Sequence, residues 1–132
     1  MGNVLIIDER GEIGAVENGK PTLCVGENVD VFSGISKVDG VSLGIRSLSP
    51  SVVVLDEIMT LDDCAALSYA LGCGVVIIAT IHSQSLSELK KKSVYHEIEQ
   101  IFERVVVLSD RCGVGTIENV FSPNGESLFS RG

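Results

Sequence analysis

Apolar residues in this chain fall in short unbroken runs rather than in alternation. Val52-Val53-Val54-Leu55 is four in a row, three of them β-branched, entered through Pro50-Ser51 and leaving into Asp56-Glu57. A run of this kind reads as a strand buried on both faces, and such strands belong to parallel sheets covered by helices. Val4-Leu5-Ile6-Ile7 reads as a second strand, and it also ends in acids, Asp8-Glu9. Gly74 to Ala79 is a third, delivering Thr80 and His82 to the same carboxyl edge as Asp56. Arg104 to Leu108 is a fourth.

Helical spacing fills the gaps. A helix is predicted from about Lys37 to Leu48, where Val38, Val41, Leu43 and Ile45 fit the period in part and Gly40 and Gly44 weaken it. Ser49-Pro50 ends it. Thr60 is placed to cap the next helix, with Asp62 and Asp63 in its first turn, where acids suit the dipole. Leu61, Cys64, Ala65, Leu67, Ser68 and Leu71 give that helix an apolar face, and Gly72 closes it. Shorter helices are expected over 86–92 and 94–101, the second making His96 a structural residue. Gly14 to Asp30 reads as a loop with a short hairpin, and Val31, Phe32 and Ile35 as residues tucked against the sheet. Near the end, Asn124-Gly125 between strand-like stretches 116–121 and 126–129 is a hairpin signal. The expected fold is α/β, one domain over 1–132, with a mostly parallel sheet, flanking helices and a C-terminal hairpin.

Composition narrows the partners. The chain is 45% apolar with no Trp, which excludes a disordered segment and gives no stacking surface for bases. A net charge of −8 repels a phosphate backbone, so no nucleic-acid partner is expected. The basic run Lys90-Lys91-Lys92 reads as a solvated helix end. Cys24, Cys64, Cys73 and Cys112 form no C-x-x-C pair and have no His at ligand spacing, so they read as reduced thiols of a cytoplasmic protein. No stretch resembles a signal peptide or approaches the roughly 20 apolar residues of a membrane span.

The candidate chemistry lies at the end of the central strand. In open α/β sheets ligands bind beyond the carboxyl ends of the strands. Two adjacent carboxylates there are costly to keep charged unless a cation or a proton uses them. The apolar run followed by Asp56-Glu57 has the pattern of a Walker B element: Asp56 supports Mg²⁺ through its water shell and Glu57 polarises the water that attacks a γ-phosphate. The plainer alternative is a strand ending in a solvated turn. A phosphate cradle of the form G-x-x-x-x-G-K-[ST] is missing; the one Gly-Lys pair, Gly19-Lys20, is followed by Pro21, which has neither an N–H nor a hydroxyl. The chain is therefore expected to be the C-terminal half of a nucleotide-binding domain, inactive when isolated.

Five short motifs occur in order: Ile7-Asp8-Glu9-Arg10-Gly11-Glu12-Ile13, Lys37-Val38-Asp39-Gly40, Ile45-Arg46-Ser47-Leu48-Ser49-Pro50, Val54-Leu55-Asp56-Glu57-Ile58 and Ala79-Thr80-Ile81-His82. Together they resemble the stage III sporulation protein AA family, RecA-like ATPases related to the motor ATPases of type II and type IV secretion. The resemblance runs from Asn3 to about Leu108. It implies a RecA-like core and a ring, hexameric in the parent protein, that uses ATP and Mg²⁺. It places that ring on the mother-cell side of a channel between mother cell and forespore, with membrane proteins of the channel as partners. It also implies roles: Asp56 for the metal, Glu57 for the lytic water, Glu9 and Glu12 as an acidic box beside them, Arg10 and Arg46 for phosphate or cross-subunit contacts, and Thr80 with His82 as a strand end that senses the γ-phosphate. The alternatives for these residues are a surface pair between Glu12 and Arg10 and a solvated Arg46. A non-enzymatic α/β domain used for assembly is the competing function. A receiver-like domain ranks last, since no Lys stands on a later strand in the position it needs.

Overall fold

The computed structural model describes residues 2–11, 16–17, 20–21, 27–122 and 124–132, with backbone only for 16–17 and 20–21. The chain divides into two compact units, Met1–His82 and Ser83–Gly132.

The first unit is a four-stranded parallel sheet with two helices. Its strands are β1 (Val4–Asp8), β4 (Val29–Ser33), β5 (Val52–Leu55) and β6 (Val76–Ala79), in the order β4-β1-β5-β6. A two-residue antiparallel ribbon, β2 (Val16–Glu17) with β3 (Lys20–Pro21), lies in the segment read as a loop with a hairpin. Helix α1 (Lys37–Leu48) carries the chain from β4 to β5, and α2 (Leu61–Gly72) from β5 to β6. Both crossovers step the same way along the sheet. Right-handed connections then put both helices on one face, where they pack on each other and on β1 and β6.

That face holds the core. Leu5, Ile7, Val53 and Leu55 alternate along β1 and β5 and are fully buried, together with Val41 of α1 and Leu67 and Ala70 of α2. Gly40 and Gly44, which weaken the helical pattern, face β1. A Cβ on Gly40 would stand 2.9 Å from Ile7 Cγ2, and one on Gly44 would collide with the Leu5 side chain. They allow helix and strand to approach closely. Burial on both sheet faces, expected from the apolar runs, holds for Ile6 of β1 but not across the sheet: Val76 and Ile78 of β6 are 59% and 55% exposed. The helices of this unit cover one face only.

Strand β4 is longer than the pattern indicates. It begins at Val29, inside the stretch read as loop, and pairs with β1 along its full length. As an edge strand it is only half-buried and carries the exposed Asp30, so no apolar run announces it.

The second unit has α3 (Leu86–Lys90), α4 (Tyr95–Ile101) and a three-stranded antiparallel sheet of β7 (Val105–Ser109), β8 (Thr116–Phe121) and β9 (Ser127–Ser130). Leu89, Val94, Tyr95, Ile98 and Ile101 are its buried apolar residues, and Thr116 is buried on β8. The fourth predicted strand is thus β7, set in an antiparallel sheet with Val106 and Leu108 exposed. The Asn-Gly hairpin joins β8 to β9, with Gly125 at φ 89° and its N–H donated to Ser122 O. On β8 the Glu118 carboxylate accepts from Arg111 Nε and Nη2 and from Ser109 Oγ at 2.6–2.9 Å, and these donors hold it down to a pKa of about 2. Among the described residues no helix is long and apolar enough to cross a membrane.

Candidate functional site

The register of the sheet builds the site. Ile7, Leu55 and Ala79 are neighbours on β1, β5 and β6. The residues that follow them, Asp8, Asp56 and Thr80, therefore emerge side by side at the carboxyl edge. Asp8 is fully buried, while Asp56 and Glu57 are half-buried.

Thr80 ties the acids of β5 to β6. Its hydroxyl donates to Asp56 Oδ1 at 2.7 Å and accepts the Glu57 N–H at 2.8 Å. Its carbonyl accepts the Ile58 N–H at 2.8 Å, and its own N–H donates to Leu55 O at 3.1 Å. Between these anchors Glu57 adopts φ 53°, a left-handed conformation that a non-glycine residue enters at a cost of about 1–3 kcal/mol. Such strain persists where neighbours over-determine the backbone, and here four hydrogen bonds of Thr80 do so. The turn aims consecutive carboxylates at the same edge.

The surrounding charges come from three elements. The Arg10 guanidinium, just past β1, pairs with the Glu57 carboxylate. Lys37, the first residue of α1, donates to Glu9 Oε2 at 2.7 Å and lies 4.0 Å from Asp63 Oδ2. Asp63 in turn accepts the N–H groups of Met59 and Thr60 and, with the Thr60 side chain, completes the capping box that starts α2. Thr60 and Asp63 thus act as the capping residues the sequence predicts.

Lys37 is the residue the sequence argument passed over. Its side chain is only 8% exposed. A signal was present: a cation in the first turn of a helix opposes the dipole, so it must be held there by acids. The predicted start of α1 at Lys37, between the acidic ends of two strands, contained that information.

The expected site residues separate into groups. Asp56, Glu57 and Thr80 are in direct contact, Arg10 joins them through Glu57, and Glu9 turns to Lys37. Arg46 lies in the last turn of α1, the opposite end of that helix from Lys37, exposed and bonded to Ser42 O of its own helix. His82 is exposed beyond the end of β6. Glu12 and Cys24 lie outside the described residues.

The donor set can be tested against Mg²⁺. Among the described residues no three His, Cys, Asp or Glu side chains converge as direct ligands. Asp56 has one oxygen engaged by Thr80 and the other available, at an edge open to solvent. A single hard carboxylate suits an ion that keeps most of its waters and takes its remaining ligands from phosphates. Asp56 fits that part. Among the described residues no turn of the pattern G-x-x-x-x-G-K-[ST] opens a helix at this edge.

Comparison with known proteins agrees with this architecture. The family profile described as "Sporulation stage III, protein AA" matches residues 2–128. Stage III sporulation protein AA of Bacillus subtilis (strain 168) is 36% identical over 125 residues, which is 93% of this chain and 41% of that relative. The chain therefore spans about two fifths of the relative's length. Among solved structures, the pilus retraction motor PilT with bound ADP aligns with a TM-score of 0.55 at 13% identity, over 99% of this chain and 39% of PilT. The Legionella pneumophila ATPase DotB aligns with a TM-score of 0.54 at 14% identity, over 92% of this chain and 37% of DotB. At those identities the likeness is one of α/β fold alone. By its sequence match over nearly its whole length, the chain belongs to the sporulation stage III protein AA family.

Proposed function

We propose that this chain supplies the hydrolytic acids of an ATPase that works in sporulation. The observation that carries the proposal is the Asp56-Glu57 turn, strained, anchored to the neighbouring strand and set at the carboxyl edge of a parallel sheet. Asp56 would hold a water of the Mg²⁺ shell, and the ion would offset charge on the phosphates. Glu57 would orient the attacking water and accept its proton. Arg10, paired with Glu57, would exchange that carboxylate for a phosphoryl oxygen. Glu9 and Glu12 would set the local field. Arg46 and His82, remote or exposed, would serve a neighbouring copy in a ring, hexameric by the secretion-ATPase resemblance. The phosphate cradle would come from the length of the relative that this chain does not span. On this proposal the assembly lies on the cytoplasmic, mother-cell side of a channel to the forespore and meets the channel's membrane proteins.

A chimera tests the proposal: this chain replaces its matching segment in the Bacillus subtilis relative, and ATP turnover is measured with Mg²⁺. Glu57→Gln is expected to lower turnover by a factor of about 10²–10⁴ while nucleotide still binds. Turnover unchanged by that substitution would overturn the assignment. The isolated chain is expected to show no Mg-ATP heat in calorimetry.

For the isolated chain, a sequence without G-x-x-x-x-G-K-[ST] favours a second function, an assembly domain that keeps the fold without hydrolysis. A chimera that neither binds nor hydrolyses ATP, yet restores sporulation to a strain lacking the relative, would decide for it.

A further inference from the structure

We propose that Thr80 is a positioning residue for the Asp56-Glu57 pair, and that toward a ligand it is an acceptor, not a sensor that donates to the γ-phosphate. The proposal rests on reading those two acids as hydrolytic. A threonine hydroxyl has one proton and two lone pairs. The proton lies on Asp56 Oδ1 at 2.7 Å, and one lone pair takes the Glu57 N–H at 2.8 Å. What remains is a single lone pair. Phosphate oxygens at neutral pH offer almost no protons, so they find nothing to bond there unless Thr80 first lets go of Asp56. A water molecule can donate, and Asp56 and Thr80 together present it with two acceptors side by side.

The clamp also acts on Glu57 through its backbone. Glu57 holds φ 53° without the freedom of glycine, and its N–H has no other partner described than the Thr80 hydroxyl. Without that acceptor the turn can relax toward ordinary backbone angles, swinging the Glu57 carboxylate away from the edge. The β6 side of the clamp is rigid, because Thr80 N–H and C=O are both bonded to β5 and to the turn. A hydroxyl on a fixed strand end therefore sets the direction of two carboxylates on another.

Two measurements test this. The first is amide hydrogen exchange on the chain as it stands, comparing Thr80→Val, Thr80→Ala and Thr80→Ser. Removing the hydroxyl is expected to speed exchange at the Glu57 N–H by about tenfold or more, with β5 and β6 still protected, and Ser is expected to restore it. If Glu57 exchange in Val and Ala variants that keep the sheet protected matches the wild type, the clamp is overturned. The second uses the chimera. Positioning predicts that Thr80→Val lowers kcat by about 10–100-fold and leaves the ratio of Mg-ATP to Mg-ADP affinity unchanged, with Ser rescuing kcat. A selective loss of Mg-ATP affinity would mean that the hydroxyl reads the γ-phosphate, and would overturn the proposal. Turnover indifferent to Glu57→Gln would remove the hydrolytic reading, while the exchange result still judges the clamp.

Discussion

A buried ammonium and a solvated carboxylate share the Lys37–Glu9 pair unequally. The Lys37 side chain is 8% exposed and that of Glu9 is 41% exposed. If Glu9 is lost, a desolvated cation remains with, among the described residues, only Asp63, 4.0 Å away and already bonded to two backbone N–H groups. Losing Lys37 instead leaves Glu9 free to turn to water. Glu9→Ala is therefore expected to destabilise the first unit by about 1–3 kcal/mol. Lys37→Met, which refills the space with an apolar chain, is expected to cost about 1 kcal/mol or less. The double variant should resemble Lys37→Met. Urea midpoints of the four proteins check this, and equal costs for the two single changes would show that the pair is not asymmetric. The result bears on the site, since one Glu9 oxygen is held by Lys37 and turned toward α1.

At the scale of elements, α1 shows why pattern and packing can disagree. Two glycines cost a helix roughly 1 kcal/mol each relative to alanine. Here they bring the helix against Ile7 and Leu5, both fully buried in the core. Gly44→Ala gains helix propensity and forces Leu5 out of its place. Overpacking costs about 1–3 kcal/mol, so after the roughly 1 kcal/mol gain in propensity the net expectation is a loss of up to about 2 kcal/mol, read from denaturant unfolding. A stabilised variant would show that Leu5 moves aside freely. The same element marks the reach of sequence: the predicted bounds of α1 stand because Ser36 caps it, accepting the Asp39 N–H, and Pro50 follows it. The parallel β1, β5 and β6 were legible from their apolar runs. Strand β4 was not, because an edge strand needs no continuous apolar stretch. The antiparallel setting of β7 was also hidden, since Val105-Val106-Val107-Leu108 looks the same whether one face is wet or dry. The position of Asp56 and Glu57 just past a strand end was legible too. The role of Thr80 depends on where one hydroxyl proton points, which only the register of β5 and β6 reveals.

On the scale of the whole molecule, charge and acid act in opposite senses. With 18 acids against 10 bases, the net charge is −8 at pH 7 and the isoelectric point is about 4.6. Self-repulsion at pH 7 weakens the compact state. Salt that screens it, or protonation that removes it, should raise stability as pH falls toward the isoelectric point. Below that, individual carboxylates reverse the trend. Glu118 has its pKa lowered from 4.5 to about 2 by Arg111 and Ser109. A depressed carboxylate binds protons more readily when unfolded, so its stabilisation is complete above pH 4.5 and is lost as pH falls from 4.5 toward 2. The Arg111 side chain is 53% exposed, so solvent screens the pair and its share of total stability is small; the difference between variants is the quantity to follow. Urea midpoints taken from pH 7 down to pH 2.5 should pass through a maximum near the isoelectric point, and added salt should raise the value at pH 7. Glu118→Gln should lower the midpoint above pH 4.5 and converge on the wild type toward pH 2. Parallel curves for the two proteins across that window would show that Arg111 and Ser109 do not hold the Glu118 carboxylate in solution.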